Sequence, residues 1–210
     1  ERFYGKRTIN LLFVGSINDI HDFELKGGLE AMQSAYSLRK RGYRVHLVVR
    51  ASVPKHIKIE DHAISVLDSP ISKEELDRLH READVFVFPS HLAHNHTPLE
   101  AMSYGLPVVT TYIGSSFGEY VENGKTGLVF TGPSPIKYFV GNNLLRSETT
   151  EKLQMLKEVS EPNYKVVEFL VESISKLIEN PDLRKQMGEA GKKEVDEGKF
   201  SIKIRNEKLK

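Results

Sequence analysis

The chain alternates short, predominantly apolar segments with segments of helical periodicity, and this alternation limits the possible fold more than any other feature. Six segments have the length and composition of buried strands: residues 8–15, 43–49, 63–67, 84–88, 107–111 and 127–130. Continuous apolar runs of this kind are typical of parallel strands that are covered on both faces. The pattern predicts an α/β fold with a doubly wound parallel sheet and right-handed crossovers.

Helix signals separate the strand-like segments. Residues 29–41 carry apolar side chains at helical spacing and are followed by Gly42, which suits a helix end. Ser72 and Glu75 have the spacing of a capping box. Pro98 opens another helix, which Gly105 ends. After an irregular connection over residues 131–162, with a short helix near 152–158, the pattern predicts two final helices over residues 164–179 and 180–197.

Composition excludes several classes of function. The chain has 210 residues, of which 39% are hydrophobic and 28% are charged, as expected for one globular α/β domain. The net charge of +1 lacks the basic excess of a nucleic-acid-binding protein. With no cysteine and no long apolar run, disulfides, thiolate metal sites and membrane spans are not expected. We expect a cytoplasmic protein, with peripheral contact to the cytoplasmic face of a membrane left open.

The predicted topology also predicts where a ligand would bind. In doubly wound sheets, ligands bind beyond the carboxyl ends of the strands, at the point where the strand order reverses. The predicted order is 3-2-1-4-5-6. The candidate loops are therefore those that follow Gly15, Val49, Leu67, Phe88 and Thr111.

Three segments, taken in order and spacing, resemble one enzyme family. They are Phe13-Val14-Gly15 followed by Lys26-Gly27-Gly28, then residues 83–90, then residues 98–129. Together they resemble the retaining GT-B glycosyltransferases of the family called glycosyl transferases group 1, over about residues 8–198. The resemblance implies a Rossmann-like, six-stranded half of a GT-B fold. Residues 1–210 then form a single nucleotide-sugar-binding domain, the C-terminal half of such an enzyme, without its N-terminal acceptor domain.

The function implied by this resemblance is transfer of a sugar from a nucleoside diphosphate sugar to an acceptor. The implied enzyme is of the hexosyl type and retains the anomeric configuration, and the isolated domain is expected to be inactive alone. Its partners would be the donor and, through the missing N-terminal domain, an acceptor glycan, lipid or small molecule. Neither a cofactor nor a metal is expected.

The resemblance also assigns roles to residues. Glu100 would accept hydrogen bonds from both ribose hydroxyls of the donor. Lys26 would offset charge on the leaving diphosphate, so Lys26 and Glu100 are the predicted catalytic residues. Unpaired amides of Thr97, Leu99 and Glu100, at the start of the helix that Pro98 opens, would form an anion site suited to a diphosphate. The full predicted donor site comprises Gly15, Ser16, Lys26, Gly27, His94, Asn95, His96, Thr97, Leu99 and Glu100.

Two positions depart from the family pattern. Ser16 stands where many members have an arginine, which leaves the basic partner of Lys26 open; Arg50 is one candidate. Leu92 stands where members usually have the first glutamate of a pair, and the segment from Pro89 to Glu100 is one residue shorter than the family pattern. His94, Asn95 and His96 are candidates for the sugar contacts that this glutamate would make.

Other functions stay open at this point. A GT-B-fold epimerase or phosphorylase would share the architecture, although no motif for a pyridoxal-phosphate lysine is present. A non-catalytic nucleotide-sugar-binding module would explain Ser16 and Leu92. His91, His94 and His96 have the residue type of a zinc site, but no second cluster accompanies them. Glu119 fits a donor contact, but it equally fits a role in packing or in helix capping. The sequence does not indicate the base, the sugar or the acceptor.

Overall fold

Six parallel strands form the central sheet of the computed structural model, which describes residues 4–59, 62–93, 96–113, 119–137, 139–140, 144–145, 151–202 and 204. The strands are β1 (Tyr4–Val14), β2 (Tyr43–Arg50), β3 (Ile64–Val66), β4 (Val85–Phe88), β5 (Val108–Thr111) and β6 (Gly127–Phe130). They lie in the order β3-β2-β1-β4-β5-β6. The predicted fold class and strand order are therefore confirmed.

Strand β1 lies at the centre and pairs in parallel on both sides. Leu11 is in register with Leu47 of β2 and with Val85 of β4. The chain first builds the sheet outward through β2 and β3, then returns to the other side of β1 with β4. The strand order therefore reverses between β1 and β4, and the loops at their carboxyl ends meet at this point.

Seven helices accompany the sheet among the described residues. They are α1 (Asp22–Leu25), α2 (Gly28–Lys40), α3 (Lys73–Glu82), α4 (Thr97–Ser103), α5 (Lys152–Glu158), α6 (Tyr164–Glu179) and α7 (Pro181–Asp196). Helix α6 packs against α2 and against strands β1, β5 and β6, whereas α7 packs against α4. The predicted helices, including the short one near residues 152–158, are all present.

Local chemistry explains several helix ends. The Ser72 hydroxyl accepts a hydrogen bond from the Glu75 amide at 3.1 Å, which confirms the predicted N-cap of α3. Asn163 and Asn180 cap α6 and α7 in the same way. Within the described ranges, no helix combines the length and the apolar character that crossing a bilayer requires.

Two features lie outside the predicted elements. One is α1, which occupies a stretch expected to be a polar loop, and the other is a hairpin of β7 (Phe139–Val140) and β8 (Leu144–Leu145). Elements of two to four residues are too short to carry a periodic signal. A second apolar cluster accompanies the main core and consists of Leu25, Leu92, Ile136, Met155 and Val159. This cluster fixes α5 beside α1.

Candidate functional site

The Lys26–Gly28 turn lies against the end of β4. Gly27 has a left-handed backbone, with φ of +79°, and immediately precedes α2. A Cβ atom built on Gly27 would come within 2.2 Å of the Pro89 carbonyl oxygen. Only glycine therefore lets the turn approach β4 this closely. The structure thus brings together the loops after β1 and β4, as the topology predicted.

Lys26 takes part in a network of four charged side chains, which we call the lysine–aspartate network: Asp19, Asp22, Lys26 and Lys152. The Lys26 Nζ lies 3.2 Å from Asp22 Oδ2. The Lys152 Nζ lies 2.5 Å from Asp22 Oδ1 and 2.5 Å from Asp19 Oδ2. The predicted phosphate lysine is therefore held by one carboxylate that it shares with a second lysine.

This network changes the protonation behaviour of two of its members. The hydrogen bond from Lys152 lowers the pKa of Asp19 below its ordinary value, against the opposing effect of burial. Burial alone would lower the pKa of Lys152, but its hydrogen bonds to Asp19 and Asp22 outweigh this and raise the pKa. The sequence analysis missed Lys152, which lies 126 positions beyond Lys26. Only the Asp22–Lys26 pair has a local signal, the i,i+4 spacing.

His91 joins the two loops from the inside. Its backbone amide donates to the Leu25 carbonyl at 2.9 Å, one residue before Lys26. Its Nε2 lies 2.9 Å from Glu30 Oε1, and both side chains are 2% exposed. Because Glu30 belongs to the first turn of α2, the contact ties the segment after β4 to the turn that carries Lys26.

Leu92, at the position where the family usually has a glutamate, is buried. It packs in the second apolar cluster with Leu25 and Met155 and is 7% exposed. Its side chain therefore contributes to the support of α5.

Glu100 lies in the first turn of α4, and its side chain is exposed. Among the described residues, no hydrogen bond or ion pair joins its carboxylate to another side chain. His96, which precedes α4, is also exposed, but its Nδ1 lies 3.2 Å from the Tyr120 hydroxyl. His94 and Asn95, two further predicted site residues, lie outside the described residues.

The prediction of unpaired amides at the start of α4 is wrong for two of the three positions. The amides of Leu99 and Glu100 donate to the His96 carbonyl at 3.0 and 3.2 Å. The reason is that the first turn closes on the residue just before the helix, which uses these donors internally. Thr97, half-buried at the first helical position, is the remaining member of the predicted set.

Gly15 and Ser16, at the end of β1, are engaged in local contacts. The Gly15 amide donates to the Arg50 carbonyl at 2.8 Å, which extends the pairing of β1 and β2. The Ser16 hydroxyl accepts from the Asn18 amide at 3.2 Å and so stabilises its own loop. Arg50 lies at this same edge of the sheet, and its buried Nε has no hydrogen-bond partner among the described residues.

The histidines do not converge on one point in the part of the chain that the structure describes. The buried His91 contacts Glu30, whereas the exposed His96 contacts Tyr120. Among the described residues, no three metal-ligating side chains lie close enough together to hold a metal ion.

Sheet topology and site together define a Rossmann-like half of the GT-B type. A family model described as Glycosyl transferases group 1 matches residues 8–139, which is more than half of the chain. The chain therefore belongs to the group 1 glycosyltransferase family, and its fold corresponds to the C-terminal domain of such enzymes.

Individual relatives agree with this assignment. The chain is 27% identical to the capsular polysaccharide biosynthesis glycosyltransferase CapM of Staphylococcus aureus, over all of this chain but only 47% of that protein. Among solved structures, the C-terminal domain of the glycosyltransferase LpcC from Francisella tularensis has a TM-score of 0.63 at 17% identity, covering 94% of this chain and 88% of that one. Anabaena HepE, solved with UDP-glucose, has a TM-score of 0.62 at 13% identity, covering 97% of this chain and 48% of that one. At these identities the two structures show the shared fold.

Proposed function

We propose that this chain binds the nucleoside diphosphate sugar of a glycosyltransferase and holds it for transfer to an acceptor bound by a further domain. The observation that carries the proposal is the joining of two loops at the point where the strand order reverses. One loop carries Lys26, the other leads to Glu100, and His91 connects them through Leu25 and Glu30.

Glu100 has the properties of a ribose ligand. Its carboxylate is exposed beside this edge of the sheet and makes no hydrogen bond or ion pair to another described residue. A carboxylate with both oxygens open can accept from two neighbouring hydroxyls, and such charge-assisted bonds are the strong kind. Glu100 is therefore proposed to bind the ribose of the donor.

Lys26 has the properties of a diphosphate ligand. Its side chain is only 19% exposed, so its charge acts in a partly desolvated environment where electrostatic interactions are stronger than in water. A cation placed there stabilises negative charge as it develops on the leaving diphosphate. Gly15, Ser16, Gly27 and Thr97 are proposed to complete the donor site.

The relatives support the class of ligand. HepE was solved with UDP-glucose, and CapM is a glycosyltransferase of capsular polysaccharide biosynthesis. We propose by analogy a hexosyl donor, retention at the anomeric carbon, and a glycan, lipid or small-molecule acceptor. Neither a cofactor nor a metal is proposed.

Calorimetric titration tests this proposal. The chain is titrated with UDP, GDP and ADP and, as a control, with inorganic phosphate. We expect one nucleoside diphosphate to bind more tightly than phosphate, because Glu100 adds contacts to the ribose. The chain alone should transfer no sugar, since catalysis requires an acceptor held in the correct geometry. If none of the three binds better than phosphate, the proposal fails.

A second candidate function is a nucleotide-sugar-binding module that does not transfer sugar. The burial of Leu92 favours it, because the side chain at this position supports α5 and is not an acid that could contact the sugar. A transfer assay with the full-length protein separates the two functions. Donor binding without turnover in the presence of acceptor would support the module.

A further inference from the structure

We propose that Lys152 is a positioning residue for the donor diphosphate. It holds Asp19 and Asp22 and so leaves the ammonium group of Lys26 available to the phosphates. The inference rests on the proposed function and deepens it. It assigns a role to a helix outside the segment that matches the family model, which ends at residue 139.

The distances show which lysine holds Asp22 more tightly. Lys152 approaches Asp22 Oδ1 to 2.5 Å, whereas Lys26 stays 3.2 Å from the other oxygen. Charge-assisted hydrogen bonds are typically 2.7–2.9 Å, so the contact with Lys152 is a close one and the contact with Lys26 is loose. The Lys26 ammonium can therefore exchange this partner for a ligand at small cost.

The balance of charge gives Lys152 its importance. Two aspartates and two lysines make the lysine–aspartate network neutral. Without Lys152, the two carboxylates would face Lys26 alone, and the network would carry one net negative charge. A negative charge a few ångströms from a diphosphate opposes its binding, most strongly where water is partly excluded.

Helix α5 is held beside α1 by apolar contacts as well as by the ion pairs of Lys152. Met155, one turn further along α5, is 0% exposed and packs with Val159 and Leu25 in the second apolar cluster. This apolar contact fixes α5 beside α1. A substitution of Lys152 should therefore remove charge without displacing the helix.

The test compares variants of this helix by calorimetry, with the best-binding nucleoside diphosphate and the matching uncharged nucleoside as probes. Lys152→Gln should weaken binding of the diphosphate about tenfold and leave binding of the nucleoside unchanged. Lys152→Arg should bind as the wild type does. The matched control is Lys157→Gln, which removes an exposed charge from the same helix and should have no effect.

Charge rescue separates positioning from a structural role. Asp19→Asn, introduced into Lys152→Gln, restores a neutral network and should return the diphosphate affinity to within about threefold of wild type. Three results would each overturn the inference while leaving the proposed function intact. They are equal losses of affinity for nucleoside and diphosphate, no recovery of diphosphate affinity in the double variant, and wild-type diphosphate affinity of Lys152→Gln. Absence of nucleoside diphosphate binding by the wild-type chain would overturn both.

Discussion

The His91 Nε2 and the Glu30 Oε1 lie 2.9 Å apart in a contact that solvent scarcely reaches. A ring N–H at Nε2 of His91 can donate to this oxygen. The same Glu30 oxygen accepts from the Asn163 amide at 3.0 Å. One buried oxygen thus connects the start of α2, the segment after β4 and the start of α6, and it fixes the two loops that carry the proposed site.

Removing Glu30 should destabilise the fold. Glu30→Ala leaves His91 and the Asn163 amide without their acceptor, and each buried donor left unsatisfied costs about 1–3 kcal/mol. Urea denaturation measures the change in the free energy of unfolding. Glu168→Ala, an exposed glutamate on α6, is the control and should change it by no more than about 0.5 kcal/mol. Similar values for the two variants would show that the buried contact contributes little.

Replacing Gly27 should reveal the close approach of the turn to β4. Gly27→Ala meets both the left-handed backbone and the Pro89 oxygen. Gly124 has a similar φ of +82°, but a Cβ atom there would meet nothing within 4 Å. Gly124→Ala should therefore lower the free energy of unfolding by about 1–2 kcal/mol through backbone strain alone. Gly27→Ala should lower it by clearly more, because it adds the steric clash. Equal unfolding free energies for the two variants would contradict the steric argument.

Loss of Glu100 should weaken donor binding without affecting the fold. Glu100→Ala should reduce the affinity for the nucleoside diphosphate by about 1.5–3 kcal/mol, the range for hydrogen bonds to charged groups. Calorimetry gives the affinity, and thermal melting checks the fold. Glu74→Ala removes another exposed first-turn carboxylate, that of α3, and should leave the affinity unchanged. Unchanged affinity of Glu100→Ala would exclude the ribose role.

The lysine–aspartate network should stabilise the chain only within a defined range of pH. Because the pKa of Asp19 is lowered in the folded state, its contribution to stability is complete above the unfolded-state pKa of about 3.9. This contribution is lost as the pH falls through the folded-state pKa. Because the pKa of Lys152 is raised in the folded state, its contribution to stability is complete below the unfolded-state pKa of about 10.4. This contribution is lost as the pH rises through the folded-state pKa. The difference in melting temperature between wild type and Lys152→Gln should therefore be largest between these limits. A difference independent of pH would contradict the assignment.

Metal removal should leave the chain unchanged. His91 and His96 have separate partners, so we expect no tightly bound zinc and no fall in melting temperature with a chelator. Elemental analysis of the purified protein gives the metal content. One tightly bound zinc per chain would contradict this expectation.

The sheet could be predicted because its signals are local. Each strand from β1 to β6 contains a short segment rich in apolar residues, and the alternation of these segments with helices restricts the topology to a few arrangements. The contacts that build the site have no such signal. Glu30 and His91 are 61 positions apart, and Asp22 and Lys152 are 130 apart. Nothing in the periodicity of either segment indicates which distant charge it meets.

The burial of Leu92 also could not be predicted from a local sequence pattern. The family resemblance identified the departure from glutamate, but only the docking of α5 shows what the leucine contacts. The prediction of unpaired amides at the start of α4 was wrong for a related reason. Whether an N–H group at a helix start stays free depends on the conformation of the residue before it, here His96, and the order of residues does not specify that.

The packing of α6 decides how small a piece of this chain could be fused to another protein. The family match ends at residue 139, yet α6 buries Val166, Leu170 and Ile174 and packs against β1, β5 and β6. A chimera that fused only residues 8–139 to a foreign acceptor half would leave an apolar face of its sheet in water and would tend to aggregate. Recombination between such enzymes, in the laboratory or in evolution, should therefore succeed when the crossover points leave α5, α6 and α7 with the sheet.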